Sequence, residues 1–219
     1  NWQFATSLTF LKSDFENNFA VDLVNNNLLF LNTSGELYSL NYQTQKINWV
    51  LNFKNSSEVT DIELFLSNPI VIKNNNIIIT TEKSVLSYNT LTALKNWNLS
   101  ARTIFKPIVT SNYTYAILKN DLLICLDNTN GNVVWSKNIF KNSKNIKKLD
   151  KFSSIVDFKI VNSEINIFSK NGYLLSFNLN NGNLNYLNRI SKNGISSEIV
   201  FLNNNMLFFD SDNRLLKFN

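Results

Sequence analysis

The residue types that could carry out catalysis form no recognisable catalytic set in this sequence. Histidine is absent and Cys125 is the single cysteine, which excludes Ser-His catalysis and a zinc site built from histidines or paired cysteines. Residues 210–213, DSDN, resemble the start of a calcium loop but lack its length and terminal glutamate, so they predict a turn. No glycine-rich phosphate loop is present. The sequence therefore predicts no catalytic residue, no metal site and no cofactor.

Two charged segments are the best candidates for binding a partner. Both are longer than a turn between strands requires, and long loops on a rigid scaffold often carry binding residues. The candidate partner-binding residues are Glu58, Asp61, Glu63 and Phe65 in the first segment and Lys141, Lys144, Lys147, Lys148 and Lys151 in the second. A solvated loop is the alternative for each. The basic segment contains no nucleic-acid-binding motif, so a protein partner is favoured and nucleic acid is not.

The composition is that of a folded protein with a mildly basic surface. Of the 219 residues, 44% are hydrophobic and 17% are charged, which excludes a charged disordered chain. The net charge of +5 favours an acidic partner or surface. No segment reaches the roughly 18 apolar residues of a membrane helix. The chain begins at Asn1 without a signal peptide, so we expect a processed or excised product that reaches a membrane only through a missing anchor or a partner.

An internal repeat organises the chain. Asparagine triplets at 25–27, 74–76 and 203–205 each precede an apolar run, with weaker copies at 111–113 and 162–164. The spacing averages roughly 45 residues, as in propeller blades, and each unit contains about four short strands separated by turn residues. Asparagine tolerates left-handed backbone angles and replaces glycine in these turns. The sequence therefore predicts an all-β fold, a β-propeller of four-stranded antiparallel blades with about five recognisable.

A large aromatic residue occupies the same place in the fourth strand of successive units. Such a ring at a fixed position suits docking against the neighbouring blade. The predicted structural docking aromatics are Trp2, Trp49, Trp97, Trp135 and Tyr186. The acidic residue Asp127 holds a position that Asn41, Asn89 and Asn178 hold in the sister repeats. This equivalence favours a turn role for Asp127 over a role as a catalytic base.

The two ends of the chain complement each other. The last unit has three predicted strands and lacks a fourth. The predicted N-terminal strand near residues 1–8 resembles a fourth strand without the other three, and it carries Trp2 in the position of Trp49. One interpretation is a single propeller domain over residues 1–219, in which the N-terminal strand completes the last blade and removes exposed sheet edges. The other is that the chain is a segment of a larger ring of about seven or eight blades.

The repeat resembles that of the quinoprotein-like, or PQQ-repeat, propellers. Residues 129–135, TNGNVVW, and 44–49, TQKINW, match the family's turn followed by tryptophan, with Gln45 in place of glycine. Within that group, residues 106–109, KPIV, followed by 115–118, YAIL, are most similar to the BamB lipoproteins of the outer-membrane barrel-assembly machinery. Members of that group usually have eight blades and begin with a lipidated cysteine. Neither feature is found within these 219 residues, which favours the interpretation that the chain is a segment of a larger ring.

The resemblance implies a non-enzymatic scaffold in the periplasm, associated with the outer membrane, whose partners are the barrel-assembly machinery and its clients. Two other functions remain open. A PQQ-dependent dehydrogenase of the same group would hold its quinone between a tryptophan and a disulfide of adjacent cysteines, and Cys125 alone cannot form that disulfide. A sugar- or peptide-binding propeller would need a polar, aromatic-lined funnel on one face. Enzymes and scaffolds share the repeat, so the resemblance is specific for fold and weak for activity.

Overall fold

A computed structural model describes residues 3, 18–53, 67–141, 155–203 and 205–218, and the regular elements among them are β-strands. In chain order they are β1 (Asn18–Asp22), β2 (Asn27–Leu31), β3 (Glu36–Asn41), β4 (Lys46–Asn52), β5 (Val71–Lys73), β6 (Asn76–Thr80), β7 (Val85–Asn89), β8 (Lys95–Leu99), β9 (Ile108–Val109), β10 (Tyr113–Ile117), β11 (Leu122–Asp127), β12 (Val133–Asn138), β13 (Ile155–Val161), β14 (Glu164–Ser169), β15 (Tyr173–Asn178), β16 (Leu184–Arg189), β17 (Val200–Leu202), β18 (Asn205–Phe209) and β19 (Leu215–Phe218).

In the described ranges these strands form five sheets, which are numbered in chain order. Sheets 1 to 4 have four strands each, β1–β4, β5–β8, β9–β12 and β13–β16, and sheet 5 has three, β17–β19. Within each sheet, strands that follow one another in the sequence are hydrogen-bonded neighbours, and the pairing is antiparallel. The four-stranded antiparallel repeat that the sequence predicts is therefore present.

Asparagine forms the tight turns between the first two strands of the sheets. Asn74 and Asn75, between β5 and β6, have φ angles of 47° and 60°, and Asn162 and Ser163, between β13 and β14, have 50° and 62°. Two successive positive φ angles are the pattern of a type I′ turn, whose twist matches that of the flanking strands. Asparagine adopts this left-handed conformation at lower cost than other residues with a side chain, which explains why the chain turns often with few glycines.

The chain divides into two compact units, Asn1–Lys119 with Leu126–Val133 and Asn120–Cys125 with Val134–Asn219. In the first unit, sheets 1 and 2 pack face to face through fully buried residues that include Leu29, Leu37, Ile77 and Ile79. Each buried side chain of this size contributes about 1.5–3 kcal/mol to folding. The second strand of each sheet lies at the centre of this packing, which explains its nearly continuous apolar sequence.

In the second unit, sheets 4 and 5 share a core cluster of Phe168, Ile195, Ile199, Met206 and Phe208. A buried carboxylate fixes the chain segment that leads into β17. Asp157 Oδ2 accepts a 3.0 Å hydrogen bond from the Ile199 backbone N–H, and Asp157 Oδ1 accepts one of 2.8 Å from the Phe158 N–H. The same carboxylate lies 3.2 Å from Lys159 Nζ. Asp157 therefore links β13 to the start of sheet 5.

Candidate functional site

A recurrent turn follows the third strand of sheets 1 to 4. It occupies residues 41–45, 89–93, 127–131 and 178–182. In the first copy, Asn41 Oδ1 accepts hydrogen bonds from the backbone N–H groups of Gln43 (3.1 Å) and Thr44 (2.8 Å). The Gln45 N–H then donates to the Asn41 carbonyl oxygen at 2.8 Å. The last residue of each copy has a positive φ, between 57° and 74°, so the turn requires Asn or Asp at its start and a left-handed residue at its end.

Asp127 begins the third copy of this turn. Asp127 Oδ1 accepts hydrogen bonds from the Thr129 hydroxyl and from the Thr129 backbone N–H, the latter at 2.7 Å. The hydroxyl bond, followed by the backbone bond, lowers the pKa of Asp127 below its ordinary value because both bonds favour the ionised form. The carboxylate thus stabilises the turn as Asn41 does in sheet 1.

Tryptophan side chains from the fourth strands dock on these turns within the first unit. Trp49 Nε1 donates a 3.0 Å hydrogen bond to the carbonyl oxygen of Thr90, and Trp97 Nε1 donates one of 2.8 Å to the carbonyl oxygen of Asn128. In both cases the acceptor is the second residue of the turn in the following sheet. A buried carbonyl without a partner is costly, so each tryptophan completes the backbone hydrogen bonding of its neighbour.

Two glycines allow indole rings to approach the turns closely. A Cβ atom added to Gly131 would lie 2.6 Å from Cδ2 of Trp97, and one added to Gly182 would lie 2.5 Å from Cε3 of Trp135. Both glycines also have positive φ angles, 74° and 67°. The glycine that ends this turn therefore serves both backbone conformation and ring packing.

A polar cluster crosses the second, third and fourth strands of sheets 1 and 2. It consists of Asn27, Ser39 and Asn48 in sheet 1 and of Asn76, Ser87 and Asn96 in sheet 2. The fourth-strand asparagine donates through Nδ2 to Oδ1 of the second-strand asparagine, at 2.8 Å in sheet 1 and 3.0 Å in sheet 2. It also donates to the serine hydroxyl, at 3.3 Å and 3.2 Å. These clusters are neutral and satisfy their own polar groups.

Sheet 4 carries the same cluster with a carboxylate in place of the second-strand amide. Glu164 Oε2 accepts a 2.7 Å hydrogen bond from the Ser176 hydroxyl, and Glu164 Oε1 accepts one of 2.8 Å from Asn185 Nδ2. The bond from Ser176, followed by that from Asn185, lowers the pKa of Glu164 below its ordinary value. Glu164 is therefore ionised at neutral pH, and it forms no ion pair with any residue in the described ranges.

Glu164 lines an open groove of about 570 Å³ in the second unit. This volume falls in the range of roughly 300–1,000 Å³ typical of ligand-binding pockets. The apolar walls include Phe168, Leu174, Phe201, Met206 and Phe218, and the polar lining includes Glu164, Asn166 and Tyr186. Asn166 is buried, and its Oδ1 atom has no hydrogen-bond partner in the described part of the chain. None of the described lining residues is lysine or arginine.

Comparison with known proteins assigns the chain to a family. The family model described as outer membrane protein assembly factor BamB matches residues 2–219. The chain belongs to the BamB family. This match confirms the resemblance to PQQ-repeat, BamB-like propellers that the repeats indicate.

One curated protein and two solved structures are similar to most of this chain. An uncharacterized protein of Rickettsia conorii, RC0314, is 24% identical over 202 residues that cover 87% of this chain and 48% of that protein. The crystal structure of BamB from Moraxella catarrhalis matches 92% of this chain and 57% of that chain, with a TM-score of 0.66 and 17% identity. The β-propeller domain of Cps50 (Swd1) from Myceliophteria thermophila matches 95% of this chain and 66% of that domain, with a TM-score of 0.64 and 11% identity.

These structural similarities confirm the predicted fold class, a β-propeller of four-stranded antiparallel blades. The chain spans about half the length of the curated relative that it matches. In the described ranges, no helix is long and apolar enough to cross a bilayer, and no group of three or more acidic or cysteine side chains is placed to hold a metal ion.

Some predicted site residues of this BamB-family chain lie within the described ranges, and the others lie outside them. Trp49, Trp97 and Trp135 lie against turns of following repeats, and Tyr186 lines the groove with 39% of its surface exposed. Lys141 is exposed at the end of a described range. The remaining predicted residues lie outside the described ranges: Trp2, Glu58, Asp61, Glu63, Phe65, Lys144, Lys147, Lys148 and Lys151. The predicted N-terminal strand near residues 1–8 lies outside them too, except for Gln3.

The sequence did not predict the groove or the Glu164 carboxylate that lines it. The available signal was a charged residue at one position of the repeat, because Glu164 stands where Asn27, Asn76 and Asn205 stand in sheets 1, 2 and 5. That substitution replaces a neutral amide with a charge at a position whose hydrogen-bond partners, Ser176 and Asn185, are retained. Whether this charge forms part of a binding site depends on the residues that surround it in the fold, and the sequence pattern does not reveal them.

Proposed function

We propose that this chain is a non-enzymatic scaffold that assists the assembly of β-barrel proteins at the outer membrane. The observation that carries the proposal is the match of the BamB family model to residues 2–219. The family and fold support a protein-interaction scaffold in general. The proposed role at the outer membrane is supported by the description of the family model, an outer membrane protein assembly factor. The periplasmic location and the barrel-assembly partners are proposed from the resemblance to BamB proteins.

The repeats supply a physical basis for scaffolding. The docked tryptophans and the turns that receive them tie successive sheets together within the first unit. Sheets fixed in this way hold their connecting loops in defined positions, and loops on a rigid framework are suited to recognising partners. Extended client chains would add transiently to exposed strand edges, where backbone hydrogen bonds give affinity without strict sequence requirements.

Two separate segments are proposed as docking surfaces: the basic segment that begins at Lys141, and the acidic and apolar segment between sheets 1 and 2. In the basic segment, Lys141, Lys144, Lys147, Lys148 and Lys151 form a concentrated positive charge that would attract an acidic partner surface. In the other segment, Glu58, Asp61, Glu63 and Phe65 combine charge with an apolar side chain. Both are long connections on a scaffold of short turns.

The proposal is tested by capturing partners from detergent-solubilised outer membranes with the purified, immobilised chain. A variant in which the five lysines of the basic segment are changed to serine probes the docking face. The matched control changes five exposed lysines elsewhere to serine: Lys46, Lys73, Lys95, Lys119 and Lys170. The net charge falls equally in both variants, so a specific docking face predicts loss of the partner in the first variant and retention in the second.

Identification of the captured proteins by mass spectrometry decides between outcomes. Enrichment of a barrel-assembly component by the unaltered chain supports the scaffold role. Capture of no such component by a folded, monodisperse chain contradicts it. Equal loss in both lysine variants would keep the scaffold role but assign the interaction to overall charge and not to the basic segment.

A further inference from the structure

Glu164 brings an unbalanced charge into a repeat that is otherwise neutral at this position. Asn27 and Asn76 fill the equivalent site in sheets 1 and 2 and receive the same type of amide hydrogen bond. Replacing the amide with a carboxylate keeps the bonds from Ser176 and Asn185 and adds a full negative charge. Because the neutral amide suffices for the cluster, folding of the cluster does not explain the charge.

No cation within the described ranges neutralises this carboxylate. Lys159 of the neighbouring strand is paired with Asp157 at 3.2 Å, and Arg214 is paired with Asp210 and Asp212. The lining around Glu164 is mixed, and its apolar part includes Phe168, Leu174 and Phe218. A cation that enters the groove would meet an unpaired carboxylate with apolar side chains beside it.

The groove also offers apolar contact area beside the charge. Phe201 is 39% exposed and Leu202 is 57% exposed, and both line the groove from β17. The buried Asn166, whose Oδ1 lacks a partner, lies on the same strand as Glu164 and lines the same groove. An apolar surface next to a carboxylate and an amide fits a ligand with a cationic group on an apolar stem.

We propose that this groove binds an extended peptide segment, with a lysine or arginine side chain paired to Glu164 and adjacent apolar side chains against Phe201 and Leu202. A metal ion is a poorer fit, because Glu164 is the single acidic residue among the described lining residues, and hard cations take several oxygen ligands. A peptide uses both the charge and the exposed apolar wall. This proposal does not depend on the barrel-assembly role, because it concerns the purified chain alone.

The test is fluorescence anisotropy with a labelled peptide of core sequence Leu-Lys-Phe and a counterpart with norleucine in place of lysine. The unaltered chain is expected to bind the lysine peptide at least tenfold more tightly than the norleucine peptide. Glu164→Gln should abolish that difference, because glutamine keeps the shape and loses the charge. The matched control is Glu198→Gln, which removes an exposed carboxylate of the same unit that does not line the groove.

A second variant protects the test against misfolding of the first. Leu202→Lys adds a positive charge at the exposed rim and leaves Glu164 and its partners intact, so it should weaken binding of the lysine peptide while thermal unfolding stays unchanged. Equal binding of the two peptides by the unaltered chain would overturn the proposal. So would full competition by butylammonium at the concentration of the peptide, because a small cation would then account for the binding.

Discussion

The indole Nε1 of Trp97 lies 2.8 Å from the carbonyl oxygen of Asn128, and the ring of the same tryptophan lies against Gly131, three residues further along the same turn. Trp49 makes the equivalent bond to Thr90 at 3.0 Å. In each case a side chain from one sheet satisfies a backbone acceptor of the next. The turn-and-tryptophan repeat that identifies the family is therefore also a structural joint.

Removal of this joint should destabilise the protein. Trp97→Phe keeps much of the apolar surface and leaves the Asn128 carbonyl without its indole donor, so we expect a loss of about 1–3 kcal/mol in the free energy of unfolding. Trp49→Phe should cost less, because Trp49 is more exposed than Trp97. Urea unfolding monitored by circular dichroism measures both. A cost for Trp97→Phe no greater than that for Trp49→Phe would contradict the role assigned to the buried bond.

The glycine beneath the ring should tolerate no side chain. Gly131→Ala places a methyl group 2.6 Å from Cδ2 of Trp97 at a φ of 74°, so a loss of more than about 1 kcal/mol in unfolding free energy is expected. The matched reverse change is Ala93→Gly at the equivalent position, where φ is 57°. It relieves left-handed strain, so its effect should be neutral or stabilising by up to about 1 kcal/mol. The same urea titration compares the two, and destabilisation by Ala93→Gly would argue against strain at this position.

The Asp157 carboxylate should matter through its backbone bonds more than through its ion pair. Asp157→Ala leaves the N–H of the buried Ile199 without its acceptor, which is expected to cost about 1–3 kcal/mol. Lys159→Ala removes the lysine partner and should cost less than about 1 kcal/mol, because the Lys159 side chain is partly exposed and ion pairs in contact with solvent contribute little. Thermal unfolding of both variants tests the difference, and equal costs would assign the stabilisation to the ion pair.

Asp127 should contribute to loss of stability in acid. Its pKa is lower in the folded protein than in the unfolded chain because the Thr129 hydroxyl and N–H stabilise the carboxylate. The contribution is therefore complete above the unfolded pKa of about 4 and is lost as the pH falls through the folded pKa.

The Asp127→Asn variant tests this sign directly. Asparagine holds the same position in the sister turns at Asn41, Asn89 and Asn178, so the variant should fold at neutral pH. Its melting temperature should fall less steeply than that of the unaltered protein between roughly pH 5 and pH 2. Identical acid profiles would show that the Thr129 bonds do not favour the charged form.

Much of the fold could be predicted from the sequence because each structural feature recurs in several units and is therefore indicated several times. Asparagine turns such as Asn74-Asn75, apolar second strands and fourth-strand tryptophans recur at blade spacing, and the described strands form five sheets that follow this repeat. The turn role of Asp127 was predictable for the same reason, since three sister repeats carry asparagine there.

The groove at Glu164 was not predictable in this way because it is unique to one unit. Its volume depends on how β14 and β17 pack. The negative charge of Glu164 stays unneutralised because the described lining contains no lysine or arginine. The same replacement of asparagine by glutamate on a fully solvated surface would not indicate a binding site. Repetition therefore reveals structure, whereas a binding site is found in departures from the repeat and in their surroundings.

The most direct test of the scaffold role is site-specific photo-crosslinking in cells that produce the chain. A photoreactive amino acid replaces the exposed Lys141, at the edge of the basic segment, and a control replaces the exposed Lys170 on another loop. The scaffold account predicts a light-dependent adduct between position 141 and a component of the barrel-assembly machinery, with little or none from position 170. Failure to form such an adduct at position 141 in a folded, correctly exported protein, or equal adducts from both positions, would contradict it.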